Sequence, residues 1–299
     1  MNEDTITKIY CDVDDFCKAL EDYCKTHCLP GAPKNSWFPA SRLSLSEVMT
    51  IILLFHLSGY RCFKWYYQRY VCLHLLSCFP TPVSYNRFVE LTGYALLPLL
   101  IYTRGFRRGK SGGVSFIDST PLKVCHNRRI YSHKVFKSYA ARGKSSTGWF
   151  YGFKLHLVIN DCGEICSFCL TSGNVDDRNM DVIDCLCREL KGKLFGDRGY
   201  ICRELFESLY KRGIQLITRL RKNMKNKLMD MSDKLLLRKR AVIESVNDFL
   251  KNICQVEHSR HRSPVNFLVN LLAALSAYSF LPRKPSIRFH DERVLPLLA

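Results

Sequence analysis

Val114-Ser115-Phe116-Ile117-Asp118 is the stretch that decides the fold, because the sequence pattern changes here. Its β-branched and aromatic residues predict a strand that ends at the acid. Residues 151–160 alternate well enough to predict a second strand, and residues 164–170 return as a third after the turn at residues 160–163. Short strands and helices then alternate. Antiparallel strands followed by this alternation predict an α/β domain with a mixed sheet.

The chain before this stretch is predicted to be helical. Ser44 and Glu47 have the spacing of a capping box ahead of an apolar run. Aromatic and basic residues interleave over residues 60–70, which favours an amphipathic helix with core aromatics; contact with nucleic acid is the alternative. We therefore predict two domains: a helical one over residues 1–110, which is a candidate DNA-binding domain, and a catalytic one over residues 111–299 with a C-terminal helix.

The composition predicts a folded protein in a reducing compartment. Hydrophobic residues make up 47% of the 299 residues, enough for a sizeable core. The longest apolar stretch, residues 265–281, contains polar side chains and favours a buried helix over a membrane span, and the polar N-terminus begins no secretory signal. The 15 cysteines are scattered and odd in number, which argues against a disulfide framework. We expect the cytoplasm and no membrane partner; the resemblance described below implies a bacterial protein near the nucleoid. A zinc site at Cys166 and Cys169 is disfavoured, since no well-spaced second pair exists.

The net charge of +18 is concentrated in two blocks. Residues 101–150 hold eleven basic residues and a single acid, Asp118, and residues 191–262 hold eighteen basic and eight acidic residues. A basic field of this size predicts a polyanionic partner, most simply nucleic acid. A solvated surface is the alternative, but it does not account for one acid among eleven cations.

Three acids are candidate catalytic residues. Asp118 and Asp197 are each predicted to end a strand, where a site at the sheet edge would lie; a turn or cap role is the alternative for either. Glu244 lies on a predicted helix over residues 240–256 whose apolar residues form one stripe. Opposite the stripe, one ridge carries Arg240, Glu244, Asn247 and Lys251. A solvated face with ion pairs is the alternative for this ridge.

The chemistry of phosphodiester cleavage favours a functional interpretation. Two divalent ions can activate the attacking oxygen and stabilise the leaving oxygen, and carboxylates hold such ions. Magnesium prefers hard oxygen ligands. Arginine and lysine beside the acids would bind phosphate oxygens.

These residues resemble the DDE transposases of bacterial insertion sequences, through Asp118, Asp197, Glu244 and the pattern of Arg240 and Lys251 around the last acid. Further strings resemble the insertion-sequence nine-eighty-two family in particular. They are Ile117-Asp118-Ser119-Thr120-Pro121, Tyr151-Gly152-Phe153-Lys154-Leu155-His156, Phe195-Gly196-Asp197-Arg198-Gly199-Tyr200, the segment from Leu236 to Glu244, and Glu257-His258-Ser259-Arg260-His261-Arg262. In related transposases a tyrosine often precedes the arginine of the helix motif by three residues; here that position is Leu237.

The resemblance implies an RNase H-like domain with a mixed five-stranded sheet and helices. It also implies Mg²⁺-dependent cleavage at the element's ends, with two ions and with Mn²⁺ as a substitute, followed by attack of the freed 3′-hydroxyl on target DNA. The three acids would be the metal ligands and Arg240 and Lys251 phosphate contacts. The partner would be double-stranded DNA, bound by a homodimer. We add Arg128, Arg129, Arg198 and Asn247 as candidate DNA contacts; for the first two, solvated side chains are the alternative.

Two other interpretations stay open at the level of sequence. One is a non-catalytic DNA-binding regulator, which would not need the acids. The other is an RNase H-like nuclease that does not join strands. Lys154 and His156 are expected to share a strand face, with His156 a core or surface residue rather than a ligand. Asp176 and Asp177 are expected to cap the helix that follows them.

Overall fold

The computed structural model describes residues 2–27, 38–145, 148–219, 229–257 and 261–287. The chain divides into two compact units. We call them the helical unit, residues 1–107 with 250–281, and the sheet unit, residues 108–249 with 282–299.

The helical unit contains six helices from the first part of the chain and one from its end. They are α1 (Glu3–His27), α2 (Leu45–Leu57), α3 (Phe63–Trp65), α4 (Cys72–His74), α5 (Tyr85–Tyr94), α6 (Leu96–Ile101) and α11 (Pro264–Ser279). Two π-helical segments, Tyr66–Val71 and Tyr102–Phe106, continue α3 and α6.

Helix α2 forms the centre of this unit. Its N-terminus has the predicted capping box, in which the Ser44 hydroxyl accepts from the Glu47 N–H and the Glu47 carboxylate accepts from the Ser44 N–H. Its residues from Val48 to His56 are all buried, and α1, α5 and α11 pack against it. A helix that is apolar on all sides is stable only when neighbours surround it.

Helix α11 belongs to the helical unit, whereas the predicted boundary placed it with residues 111–299. The physical reason is burial: ten of its sixteen residues are buried, and it packs against α2, α5 and α6.

The aromatic residues of the segment over residues 60–70 differ in their burial. Tyr66 and Tyr67 are fully buried, as expected for core aromatics, but Trp65 is 61% exposed.

The sheet unit is built on a six-stranded mixed sheet. Its strands are β1 (Val114–Cys125), β2 (Ala141–Ser145), β3 (Gly148–Asn160), β4 (Ile165–Ser172), β5 (Gly192–Gly196) and β6 (Ile214–Thr218). The strand order is β2-β3-β1-β5-β6. Strands β2 and β4 pair with successive parts of one edge of β3: β2 with residues 148–152 and β4 with residues 153–159. The predicted α/β class with a mixed sheet and preceding helices is confirmed; the short β2 brings the strands from five to six.

The pairing of the strands follows the predicted order. β1, β3 and β4 are antiparallel neighbours, and β5 and β6 run parallel to β1. Four helices accompany the sheet: α7 (Met180–Leu186), α8 (Arg203–Lys211), α9 (Met231–Lys239) and α10 (Ala241–Asn252), whose last residues pass into the helical unit. Ile117 and Val158 share a buried apolar cluster with residues of α7 and α8.

Two local expectations need correction, and a third agrees with the structure. Asp118 does not end β1, because antiparallel pairing with β3 continues to Cys125. Asp176 and Asp177 do not cap α7, because Asn179 does so by accepting from the Val182 N–H. Within the described ranges, no helix is long and apolar enough to cross a membrane, in keeping with the interpretation of residues 265–281.

Candidate active site

Asp118 and Asp197 are brought side by side by the register of two parallel strands. β1 and β5 pair from Val114 with Lys193 to Phe116 with Phe195. Continued by two residues, the same register sets Asp118 level with Asp197. β5 ends at Gly196, so Asp197 lies in the turn just beyond the strand. The carboxyl ends of neighbouring parallel strands are where sheets of this kind form their sites.

Helix α10 faces this pair with the predicted polar ridge. The Asn247 side chain is buried, and its Nδ2 donates to Asp118 Oδ2 at 3.1 Å. Arg240 lies between two acids: its Nη2 donates to Glu244 Oε1 at 2.5 Å, and its Nη1 lies 3.8 Å from Asp118 Oδ1. The alternative of a solvated ridge with ion pairs holds in part: the Arg240–Glu244 pair is present and Glu244 is 57% exposed. It is wrong for Asn247, which is buried against Asp118.

Asp118 has two other carboxylates and one guanidinium near it, so negative charge exceeds positive charge. The pKa of Asp118 is raised to about 7, chiefly by burial; Asp197 and Glu244 also raise it, whereas Arg240 and a hydrogen bond from the Ser119 N–H lower it. A carboxylate among other carboxylates needs positive charge to stay ionised. One guanidinium supplies part of that charge, and a divalent ion would supply the rest.

Asp197 is held by the turn that follows it. Its Oδ1 accepts from the Gly199 N–H at 2.7 Å, as the cap of a short 3₁₀ turn, Arg198–Tyr200. Gly196 is needed before it, because a Cβ there would lie 3.2 Å from the Tyr200 ring and 3.3 Å from Ile117. The Gly-Asp-Arg-Gly string therefore fixes the backbone on both sides of the acid.

Tyr200 is a neighbour of the acids that the sequence reasoning missed. It is fully buried and its hydroxyl has no hydrogen-bond partner among the described residues. Burial raises its pKa well above the usual value, the charges of Asp177, Asp118 and Asp197 raise it further, and Arg240 lowers it. The hydroxyl therefore lies in the field of the acids. The signal was available, since Tyr200 closes one of the strings that carry the resemblance.

Asp177 also acts on Tyr200 by its charge, and it contacts two residues of β3. Its Oδ1 accepts from Lys154 Nζ at 3.0 Å and lies 3.9 Å from His156 Nδ1. His156 is buried, as one of the expected alternatives had it, and its Nε2 bonds the Thr171 hydroxyl at 2.9 Å. Burial lowers the pKa of His156 to about 4, against a smaller raising effect of Asp177. The expectation that Lys154 and His156 share a face is confirmed, because both meet Asp177.

The other predicted DNA contacts are not equally close to the acids along the chain. Arg128 and Arg129 are exposed in a 3₁₀ turn after β1, and seven residues of extended strand, roughly 23 Å, separate Asp118 from the end of β1. Arg198 is exposed directly after Asp197. Lys251 lies in the last turn of α10 and pairs with Glu257 at 3.1 Å.

Further positions from the strings of the resemblance are core residues. Leu237, which replaces the motif tyrosine, is buried. The two histidines of the last string, His258 and His261, are further candidates for DNA contact, and His258 lies outside the described residues. The ring of His261 packs edge-on against Phe267, and burial lowers its pKa to about 4.

The acids fit a divalent metal by their chemistry. Asp118, Asp197 and Glu244 are hard oxygen donors whose charges act on one another. Within the described ranges, no three histidine, cysteine or acidic side chains already converge as a metal cluster. Glu244 is the acid with the freedom to turn, because it is exposed and, among the described residues, is bonded only to Arg240.

The chain was compared with solved structures, with curated proteins and with family models. Among solved structures, the cryo-EM structure of a piggyBac transposase synaptic complex with hairpin DNA is similar at 10% identity, with a TM-score of 0.44, over 91% of this chain and 72% of that chain. A search of curated proteins gave no match. Residues 108–264, just over half of the chain, match the family described as "Transposase DDE domain". This span contains Asp118, Asp197 and Glu244. The chain therefore belongs to the transposase DDE domain family, and it is a DNA transposase that uses DDE-type catalysis with divalent metal ions.

Proposed function

We propose that this transposase cleaves DNA at the ends of an insertion sequence and joins the freed 3′-hydroxyl to target DNA, with Asp118, Asp197 and Glu244 as its metal ligands. The observation that carries the proposal is the register of β1 and β5, which sets two acids level at one sheet end, with α10 facing them. We further propose two Mg²⁺ ions, which Mn²⁺ replaces, and membership of the insertion-sequence nine-eighty-two family.

The bound ions would activate the attacking oxygen and stabilise the leaving oxygen of the phosphodiester. The chain's own residues hold the geometry. Asn247 fixes one oxygen of Asp118, and the Gly199 N–H fixes one oxygen of Asp197, so each carboxylate keeps a second oxygen for a ligand. Arg240 is placed to bind a phosphate near the acids, as an arginine can pair with two oxygens at once.

The DNA partner is proposed to be a duplex carrying the element's ends, bound by a homodimer because an element has two ends. Arg198 is exposed next to Asp197 and would contact phosphate close to the cut. Lys251, Arg128 and Arg129 would contact DNA further along. The catalytic domain is proposed to span residues 111–249, and the helical unit is a candidate for additional DNA contacts.

The test is a cleavage and joining assay on a labelled duplex of the element's ends with Mg²⁺. We expect Asp118→Asn and Glu244→Gln to reduce both reactions by about 1,000-fold or more, on the order of 4 kcal/mol of transition-state stabilisation. Glu207→Gln is the matched control, because Glu207 is 58% exposed and pairs with an arginine four residues before it, as Glu244 does.

The other interpretations give different outcomes in the same assay. Cleavage without joining would indicate a nuclease. Binding without either reaction would indicate a regulator. Normal cleavage and joining by Asp118→Asn would overturn the assignment of the acids. Omission of Mg²⁺ should abolish both reactions, and addition of Mn²⁺ should restore them.

A further inference from the structure

The outer end of the sheet carries an exposed tryptophan between two cations. Trp149 on β3 is 54% exposed and lies directly opposite Lys144 on β2. Arg142 lies over its ring at 4.9 Å from the ring centroid to the guanidinium carbon, and Lys144 Nζ lies 5.9 Å from the same centroid. We call Arg142, Lys144 and Trp149 the hairpin surface. An indole ring of this kind has an apolar face open to solvent and positive charge beside it.

The surroundings of the hairpin surface are positively charged. No acid occurs from Ser119 to Asn160. Seven cations of this stretch are exposed, and none forms an ion pair with an acid in the ranges that the structure describes. They are Lys123, Arg128, Arg129, Lys134, Lys137, Arg142 and Lys144. Cations left without acids are the mark of a surface that binds a polyanion.

The hairpin surface is held in place by its neighbours. Asn127 Nδ2 donates to the Trp149 carbonyl at 2.8 Å, which ties β3 to the turn that carries Arg128 and Arg129. β2 lies so close to the segment after β4 that a Cβ on Gly143 would stand 2.0 Å from the Gly173 carbonyl oxygen. A rigid ring loses little conformational freedom when a ligand stacks on it.

The hairpin surface lies on the same sheet face as the first catalytic acid. Asp118 pairs with Leu157, and Trp149 lies eight residues before Leu157 on β3. Because side chains alternate between faces, an even separation keeps the two on one face, roughly 26 Å apart along the strand. Tyr151, Phe153 and Leu155 lie between them on this face and are buried, so the hairpin surface is a site separate from the acids.

We propose that the hairpin surface binds single-stranded DNA, with one base stacked on Trp149 and neighbouring phosphates on Arg142 and Lys144. The proposal rests on the proposed function for its choice of DNA as the polyanion. The exposed ring favours a single strand over a duplex, because paired bases offer their faces only at duplex ends, whereas unpaired bases stack on aromatic side chains. An acidic protein would pair with the cations but would have no planar group for the ring.

The experiment measures binding of a labelled short oligothymidylate and of a blunt duplex of equal length to the full chain, without metal ions. We expect Trp149→Ala to weaken oligothymidylate binding roughly 5- to 150-fold, as the loss of one stacked base predicts. Trp149→Phe should keep most of the affinity, because phenylalanine still stacks. Duplex binding should change less than about twofold in both variants.

Tyr210→Ala is the matched control, since Tyr210 is an aromatic residue of the same unit that is 76% exposed, on α8 among charges of both signs. It should leave both affinities unchanged. Thermal melting of each variant checks that it is folded.

A second measurement tests the cations. Arg142→Gln with Lys144→Gln should make the salt dependence of oligothymidylate binding shallower by about 1.4 in the log–log slope, about 0.7 for each phosphate that is no longer neutralised. The proposal is overturned if Trp149→Ala binds oligothymidylate as the wild type does, or if single strand and duplex lose affinity equally. Stronger binding of poly-glutamate than of oligothymidylate would also overturn it.

The outcome is separable from that of the proposed function. Asp118→Asn should bind oligothymidylate normally, because the acid is not part of the hairpin surface. If cleavage and joining are never observed but Trp149→Ala loses single-strand binding, the hairpin surface stands while the proposed reaction fails.

Discussion

Among the residues that the structure describes, each unit exposes one tryptophan with an arginine against its ring, and the two sites differ in their backbone. Trp65 in the helical unit is 61% exposed, with Arg69 5.5 Å from its ring centroid. Trp149 in the sheet unit is 54% exposed, with Arg142 at 4.9 Å. By composition the two sites look alike, since residues 48–89 lack acids just as residues 119–160 do.

The difference lies in where the neighbouring side chains point. On a helix, successive residues turn by about 100°, so the neighbours of Trp65 spread around the axis: Tyr66 and Tyr67 enter the core, and Lys64 lies over Tyr85 instead. On paired strands, the neighbours of Trp149 stay on its face. The acid-free stretch around Trp149 also holds eight cations, twice the four around Trp65. Interleaved aromatics and cations therefore form one surface on a hairpin but not on this helix.

The largest expected effect compares how tightly one glycine is packed in each unit. Gly143→Ala should lower the free energy of unfolding by about 3 kcal/mol or more, because the new methyl group would overlap the Gly173 carbonyl and the Phe150 ring. Gly105→Ala in the helical unit should raise it by roughly 0.5–1 kcal/mol, since nothing lies within 4 Å and alanine favours the helix. Chemical denaturation measures both. Equal effects would show that the hairpin is loosely packed.

The second effect belongs to the helical unit and depends on pH. His56 is fully buried, with Nδ1 donating to the Cys254 carbonyl at 2.7 Å and no partner at Nε2 in the described chain. Burial lowers its pKa to about 4, and nearby His261 lowers it too, although the carbonyl opposes this. A lowered pKa means that stability is complete above pH 6.5 and is lost as the pH falls towards 4.

The loss over that range should be on the order of 3 kcal/mol for His56 alone. His56→Gln, which can still donate to the carbonyl, should remove this part of the pH dependence. Urea denaturation between pH 4 and 7, followed by tryptophan fluorescence, gives the slope. An unchanged slope in the variant would mean that His56 does not titrate on unfolding.

A smaller effect compares buried tyrosine hydroxyls. Tyr67 in the helical unit donates to the Val83 carbonyl at 2.7 Å, whereas Tyr200 in the sheet unit has no partner among the described residues. Tyr67→Phe should therefore destabilise the protein by about 1 kcal/mol, and Tyr200→Phe should stabilise it by a similar amount. Thermal melting distinguishes the signs. If Tyr200→Phe also slows DNA cleavage, the unpaired hydroxyl serves the site; destabilisation would show that it is bonded in solution.

The smallest expected effect tests directly whether the Trp65 and Trp149 sites differ in binding DNA. Trp65→Ala should change oligothymidylate affinity by less than about twofold, because its neighbours do not form one charged surface. The readout is the binding assay used for Trp149→Ala. A loss of affinity as large as that of Trp149→Ala would show that the helical unit also contacts nucleic acid, through Trp65.

Much of the architecture follows from pattern. The capping box at Ser44 and the mixed order of the strands were predictable because they depend on residues close together in sequence. The ridge on α10 was predictable for the same reason, since helical period alone places Arg240 and Asn247 on one side. The burial of Asn247 and the partial burial of Arg240 were not predictable, because burial depends on the sheet across from them.

The rest required long-range pairing. The register that sets Asp118 level with Asp197 joins residues almost eighty positions apart, and no local pattern contains it. The continuation of β1 past Asp118 comes from its partner β3, and the role of Asp177 comes from Lys154 on that strand. Tyr200 escaped because a buried tyrosine looks like any other core residue until its hydroxyl is found without a partner.

The helical unit is assembled from two segments that the sheet unit separates in the sequence. During synthesis the first segment leaves the ribosome well before α11, which packs against α2, α5 and α6. The apolar surfaces of those helices stay uncovered while residues 108–249 are being added. The sheet unit, whose strands all lie within that stretch, can fold first. Chaperones would therefore meet this chain through its N-terminal helices. Truncation before residue 264 would keep all six strands, although it would remove residues 282–299 of the sheet unit, and it would leave the helices exposed and prone to aggregate.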